Sequence, residues 1–166
     1  MSENRNAPSA RILVVDDQKN MRTTTALLLR QSGYEVHEAA TGEEALRMLE
    51  ESSFDLLLTD LRMEPIDGMQ LLERAIHRHP NLQVIVMTAY GTIDSAVEAV
   101  RLGAADYLSK PFKRGELEVR VAKALENSRL RRQVESLAGA FRDRFGIGSI
   151  VGASAPMREV IGKILR

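Results

Sequence analysis

Two kinds of apolar pattern alternate along the chain. Short continuous apolar runs end on polar residues, and between them lie segments in which apolar residues recur every three or four positions. The densest run, Leu56-Leu57-Leu58-Thr59, is framed by Asp55 and Asp60. A short uncharged run of this kind fits a strand buried on both faces, of the sort found inside parallel sheets. It stops on a carboxylate, and Glu64, Pro65, Asp67 and Gly68 follow as loop and turn residues. Asp60 is therefore expected at the carboxyl end of a central strand, where open parallel sheets bind their ligands.

The same alternation runs through the rest of the chain. Ile12-Leu13-Val14-Val15 leads into Asp16-Asp17, a strand ending in two acids. Gln18 to Gln31 carries Met21 and Ala26 to Leu29 before Gly33, a helix with a glycine stop. Tyr34 to Ala39 alternates, as an outer, half-buried strand does. A helix from Thr41 through Ala45, Leu46 and Leu49 precedes the Asp55–Asp60 strand. Gly68 to His79 is a third helix ended by Pro80, Leu82 to Thr88 a fourth strand, and Thr92 to Leu102 a fourth helix closed by Gly103. Ala104 to Ser109 is a fifth strand that leads to Lys110-Pro111. From Arg114 a fifth helix meets no breaker before Gly139, and Gly139, Gly146 and Gly148 are expected to end it. Strands alternating with helices predict an α/β, doubly wound parallel sheet with right-handed crossovers. Spacing alone does not choose a strand order.

In a parallel sheet the carboxyl ends of all strands share one edge. Asp16, Asp17, Asp60, Thr88 and Lys110 are then brought to one crevice, and the second strand adds nothing comparable. Two carboxylates ~4 Å apart repel by roughly 4 kcal/mol at an effective dielectric of 20. Such a cluster is tolerable if it shares a proton or holds a cation. Carboxylates with a backbone carbonyl and waters are a hard-oxygen set suited to Mg2+. Lys110 fits as a point-charge partner for a carboxylate or phosphoryl group, and Thr88 adds a hydroxyl donor. The chemistry suggested is phosphoryl transfer with a carboxylate nucleophile. Taken singly, each residue has a plainer role: a strand-end Asp is usually a helix cap or turn residue, and a strand-end Lys is usually solvated. Only the joint placement favours a site. The turn Asp16-Asp17-Gln18-Lys19 has no glycine, which argues against a dinucleotide or other nucleotide cofactor.

Composition narrows the classes. The 166 residues, 44% hydrophobic, suffice for one domain plus an extension. No Cys is present, so disulfides, zinc–thiolate sites and Cys nucleophiles are excluded. Residues 1–10 are polar, read as a disordered tail without a signal core, and no apolar run approaches the roughly 18–20 residues of a membrane span. A cytoplasmic protein with no membrane partner is expected. The net charge of zero hides an asymmetry. Residues 1–122 hold 14 basic and 19 acidic side chains, and residues 123–166 hold 9 and 4. A basic arm for nucleic acid and a solvated basic helix both fit. The lack of interleaved aromatics favours the second.

The segments Ile12-Leu13-Val14-Val15-Asp16-Asp17, Leu58-Thr59-Asp60-Leu61-Arg62-Met63, Val86-Met87-Thr88-Ala89 and Ala105-Asp106-Tyr107-Leu108-Ser109-Lys110-Pro111-Phe112, in this order, resemble the receiver domain of two-component response regulators. The resemblance covers about residues 10–125 and implies a flavodoxin-like strand order 2-1-3-4-5. It implies that Asp60 accepts a phosphoryl group from a sensor histidine kinase. Asp17, Asp60 and the Arg62 carbonyl would bind Mg2+, with Asp16 acting through water. Thr88 and Lys110 would contact the phosphoryl oxygens. Tyr107 looks like the family's aromatic switch, which turns inward on activation, and Lys110-Pro111 like its cis peptide. Arg62 and Tyr90 occupy positions that tune the lifetime of the phosphorylated form. One departure stands out: Met-Pro is usual after the phosphoacceptor strand, and here Met63-Glu64-Pro65 displaces the proline by one, which puts the local loop shape in question.

Beyond a receiver at 11–125, residues 126–145 read as a helical linker. Leu130, Val134, Leu137 and Phe141 are spaced 4, 3 and 4, an a/d seam of about two heptads that can pair two chains into a homodimer. A helix folded back on its own domain is the alternative. Residues 146–166 resemble the opening of the central ATPase domain of NtrC-type regulators, which act with sigma-54 RNA polymerase. Gly162-Lys163 is followed by Ile164 and lacks the earlier glycine of a phosphate loop. The chain thus resembles the regulatory front end of a longer DNA-binding protein and is not expected to hydrolyse ATP or bind a promoter itself. Two other functions compete. A Mg2+-dependent phosphohydrolase with an Asp nucleophile would place its two acids two residues apart, whereas Asp16 and Asp17 are adjacent. A phosphorylation-independent interaction module would not need the full acidic set with Thr88 and Lys110.

Overall fold

The structure, a computed structural model, describes residues 9–145. Five strands form one parallel sheet: β1 (Arg11–Val15), β2 (Glu35–Ala39), β3 (Leu56–Asp60), β4 (Gln83–Thr88) and β5 (Asp106–Ser109). The order is β2-β1-β3-β4-β5, which places β3 in the middle, as the resemblance implies. Helices α1 (Lys19–Gln31), α2 (Gly42–Glu51), α3 (Gly68–Arg78) and α4 (Ile93–Arg101) make the crossovers, and α5 (Arg114–Phe145) follows β5.

The period of two along each strand splits the core between the sheet's faces. Leu13, Val15, Leu57, Val84 and Val86 join Ala45, Leu49, Leu71, Leu72, Ala75 and Ala99 from α2, α3 and α4. Ile12, Val14, Leu56, Leu58, Ile85 and Met87 join Ala26 and Leu29 of α1 and Leu117, Val121 and Ala124 of α5. The continuous apolar runs of β3 and β4 follow from this, because both of their faces are covered. Each fully buried Leu, Val or Ile contributes roughly 1.5–3 kcal/mol to holding the sheet. Helix starts are fixed locally. Thr41 caps α2 through Glu44 N–H, and Asp67–Gln70 and Thr92–Ser95 form reciprocal capping boxes for α3 and α4.

One expectation fails. Gly139 does not end α5, which continues to Phe145. A glycine in a helix costs only about 1 kcal/mol relative to alanine, and its neighbours Ala138 and Ala140 are strong helix formers. The chain divides into two compact units at Leu125/Glu126, so α5 begins in the first and ends in the second. Ala10 is tied to β2 by the Glu35 N–H donating to its carbonyl at 3.1 Å. Residues 1–8 of the expected tail and the expected ATPase opening at 146–166 lie outside the described residues. No described helix is long and apolar enough to cross a membrane.

Candidate functional site

Parallel pairing brings the ends of β1, β3, β4 and β5 together. Val15 pairs with Thr59, Asp60 with Met87, and Thr88 with Ser109. The residue following each strand, or closing it, therefore faces one crevice. Asp16, Asp17 and Asp60 each present a carboxylate oxygen within 4.8 Å of the others. Asp16 is fully buried, Asp60 is 8% exposed, and Asp17 is exposed. Lys110 reaches in from the loop after β5, its Nζ 2.8 Å from Asp16 Oδ2 and 3.3 Å from Asp60 Oδ1. Thr88 is buried at the end of β4, and its hydroxyl oxygen accepts the Tyr90 N–H at 3.1 Å. Asp17, Asp60, Arg62, Thr88, Tyr90 and Lys110 share an open cavity of about 430 Å³.

Each side chain is held by its own element. Asp16 Oδ1 accepts the Gln18 N–H at 2.9 Å, which fixes the turn into α1, and Arg22 donates to the Asp16 carbonyl at 2.9 Å. Asp60 Oδ1 accepts the Leu61 N–H at 3.0 Å. The Leu61 N–H also donates to the Met87 carbonyl of β4 at 2.8 Å. The Arg62 guanidinium carbon lies 4.9 Å from the Tyr90 ring centroid, so the two exposed side chains stack at the rim of the cavity. The Glu64–Pro65 and Lys110–Pro111 peptides are both cis. A second open cavity, about 530 Å³, is lined by Asp17, Arg62, Glu64 and Asp67 beside the first.

Charge balance is the feature that sets this edge apart. One ammonium faces three carboxylates. Burial pushes the Asp60 carboxyl above its usual range; Lys110 pulls it back, and the Asp16 charge pushes it further up. A divalent cation among these oxygens would remove that penalty, and the donor set is the all-oxygen kind that hard cations prefer. The residues present therefore fit Mg2+.

Tyr107 lies on β5 with its ring half-buried against the core and its hydroxyl 3.0 Å from Ser95 Oγ. Leu130, Leu137 and Phe141 of α5 are 48%, 71% and 53% exposed, and Val134 is half-buried. Sequence reasoning missed Gly68. A Cβ there would overlap the Asp60 carbonyl oxygen and stand 2.8 Å from Leu61 Cα, so the first turn of α3 packs directly on the backbone at the end of β3. The Gly68 N–H donates to the Leu61 carbonyl at 2.8 Å. A glycine opening a helix close behind a strand-end Asp was the available signal.

Comparison with known proteins bears on the family and the fold. The response regulator receiver domain family matches residues 12–122. The transcriptional regulatory protein ZraR of Klebsiella oxytoca is 39% identical over 155 residues, covering 92% of this chain and 33% of ZraR. The crystal structure of NtrX from Brucella abortus matches with a TM-score of 0.74 and 36% identity, over 78% of this chain and 30% of that one. The solution structure of the beryllofluoride-activated NtrC4 receiver domain dimer matches with a TM-score of 0.69 and 31% identity, over 71% of this chain and 98% of that one. The chain spans about a third of the length of the curated relatives it matches.

Proposed function

The chain belongs to the response regulator receiver domain family, and from that premise we propose that Asp60 is a phosphoacceptor fed by a sensor histidine kinase. A carboxylate oxygen of Asp60 forms a bond to phosphorus as the phosphorus–nitrogen bond of a phosphohistidine breaks, and the electron pair stays on the imidazole nitrogen. Burial supports this role, because a desolvated carboxylate is more basic than one in water. Asp16, Asp17, Asp60 and the Arg62 carbonyl would hold Mg2+, which supplies positive charge against the carboxylates and the phosphoryl oxygens. The Lys110 ammonium orients Asp60 before transfer and can follow the charge onto a phosphoryl oxygen afterwards. The Thr88 hydroxyl, in the same cavity, can turn from Tyr90 to a phosphoryl oxygen. Tyr107, beside Thr88, then reports the change to α4 and β5.

The observation that carries the reading is Lys110 bridging Asp16 and Asp60 among three clustered carboxylates. Incubation with a small phosphodonor and Mg2+, read by intact mass, tests it. One phosphoryl group is expected on the wild-type chain and none on Asp60→Asn. Stoichiometric labelling of that variant elsewhere would sink the assignment. We further infer that the α5 seam of Leu130, Val134, Leu137 and Phe141 pairs two copies, and that phosphorylation changes the pairing. On this reading the domain works in the cytoplasm at the front of an NtrC-type regulator, and the whole protein acts through an ATPase domain with sigma-54 RNA polymerase and DNA. Sedimentation with and without beryllofluoride tests the pairing, and an unchanged mass removes dimer control from this chain.

A further inference from the structure

Tyr107 occupies a seat whose walls the phosphoacceptor reading does not use. Its hydroxyl oxygen lies 3.0 Å from Ser95 Oγ in the first turn of α4. Ser95 has one hydroxyl proton, and the Thr92 carbonyl, which can only accept, lies 2.9 Å from its oxygen. Either hydroxyl can be the donor across the Tyr107–Ser95 contact, and the Ser95 oxygen also accepts the Thr92 N–H at 3.0 Å. The opposite wall is Gly91. A Cβ there would overlap the Tyr107 hydroxyl and stand 3.0 Å from Tyr107 Cε1 and 2.9 Å from Thr88 Cγ2. Gly91 is not among the glycines with left-handed φ, which are Gly33 and Gly103. Space, rather than backbone conformation, is what requires glycine at this point. The phenol end of Tyr107 and the methyl of Thr88 thus converge beneath one residue that has no side chain.

We propose that Gly91 and Ser95 are positioning residues: they seat Tyr107 inward beside Thr88 and so favour the state in which Asp60 holds its phosphoryl group. The proposal rests on the reading of Asp60 as phosphoacceptor and Thr88 as a phosphoryl contact. Thr88 has two sides. Its hydroxyl belongs to the Asp60 cavity, and its methyl faces the space that Gly91 leaves for Tyr107. A phosphoryl group that draws the hydroxyl toward Asp60 draws the methyl away from the seat, and the phenol fills the room. Whatever stabilises the filled seat stabilises the phosphoryl-bound state by the same amount, and whatever closes it lowers the fraction of competent molecules and with it the apparent affinity.

Beryllofluoride with Mg2+, titrated into the whole chain and followed by fluorine NMR, is the probe. Wild type binds and Asp60→Asn does not. Gly91→Ala weakens binding by about tenfold, because the deepest clash is with the far end of a movable side chain: Tyr107 swings out, Thr88 Cγ2 gives by a few tenths of an ångström, and the fold survives. Ser95→Ala weakens it by roughly three- to fivefold, the size of one hydrogen bond, and carries the test alone if Gly91→Ala does not fold. Thr92→Ala breaks the α4 capping box but leaves the Thr92 carbonyl and the Tyr107–Ser95 contact, and stays within about twofold of wild type. In a Tyr107→Ala background neither Gly91→Ala nor Ser95→Ala causes further loss, because the seat has no occupant. The seat is overturned by a loss in Thr92→Ala as large as in Ser95→Ala. It is equally overturned by a full Gly91→Ala loss without the phenol, or by wild-type affinity in both seat variants. Wild-type protein that takes up no beryllofluoride overturns the Asp60 reading first, and the seat with it.

Discussion

The two edges of the sheet use similar residue types to opposite ends. At the amino edge, Arg11 is surrounded by acceptors. Its guanidinium donates to Glu35 at 3.1 Å and to the Ser53 carbonyl at 2.9 Å, lies 3.3 Å from His37 Nε2, and sits 4.9 Å from the centre of the Phe54 ring. Its backbone N–H donates to Asp55 at 2.8 Å. At the carboxyl edge, Lys110 is alone among Asp16, Asp17 and Asp60. The pKa directions follow. Glu35 is lowered by its hydrogen bond to His37 and by Arg11, whereas burial raises Asp60. One edge is balanced and serves the fold. The other gathers three carboxylates around one ammonium, a cost that the proposed phosphoacceptor reading would account for.

The largest test of that contrast is Lys110→Met. It removes the ammonium that bridges Asp16 and Asp60 while keeping an apolar stem, and leaves Asp16 buried beside Asp60. Loss of one member of a buried ion pair costs roughly 3–5 kcal/mol, read as a lower melting temperature in Mg2+-free buffer at neutral pH. Millimolar Mg2+ should restore part of the loss. A fall in stability that ignores Mg2+ would show that Lys110 matters for packing and not for charge.

Next in size is Asp60→Asn, which removes charge from the overloaded side. In Mg2+-free buffer it should raise stability by about 1 kcal/mol, a shift of several degrees in melting temperature, and the gap should narrow as Mg2+ is added. The pH dependence has a definite sign. The folded state holds the Asp60 proton more tightly than the unfolded state does, so stability falls as pH rises from the ordinary 3.8 through the raised folded value. Asp60→Asn removes this fall, and its advantage over wild type should grow across that window. Glu35 has the opposite sign: its contribution is present above the ordinary 4.5 and is lost as pH falls toward the lowered folded value. Glu35→Gln should therefore differ from wild type most at neutral pH and least in acid. Parallel melting curves for both variants from pH 3 to 7 check the two signs together, and the same slope in both would erase the distinction between the edges.

The contrast also shows what was legible before the fold. Ile12–Val15 and Leu56–Leu58 announce buried strands because both faces are covered, and a parallel sheet then sends Asp16, Asp60, Thr88 and Lys110 to one edge by topology alone. The strand order needed the family resemblance, since spacing is silent about which strands are neighbours. The balance at the amino edge was invisible. Arg11 meets partners 24 to 44 residues away, and only tertiary pairing brings them together. Gly68 was read as a turn residue and Gly91 drew no reading at all, although the importance of both lies in what a Cβ would strike. Gly139 was read as a breaker, yet the cost of one glycine is small beside that of ending a helix between two alanines. Apolar spacing in α5 was equally blind to cover. Leu117, Val121 and Ala124 are buried, whereas the continuing seam at Leu130, Leu137 and Phe141 is largely exposed.

The smallest effect belongs to the balanced edge and is the control for all the others. Arg11→Ala removes a half-exposed guanidinium with several acceptors and its packing on Phe54. Exposed ion pairs are worth little, and the acceptors it leaves can turn to water, so the expected cost is about 1 kcal/mol. That cost should be the same with and without Mg2+, because no described acidic cluster at this edge has the geometry to hold an ion. It should also leave phosphoryl incorporation at Asp60 unchanged, since the substitution lies at the far end of the strands. A Mg2+-dependent cost for Arg11→Ala would mean that charge is shared along the sheet. The carboxyl edge would then no longer be a separately tuned site, and the excess charge around Lys110 would need an explanation from the whole domain.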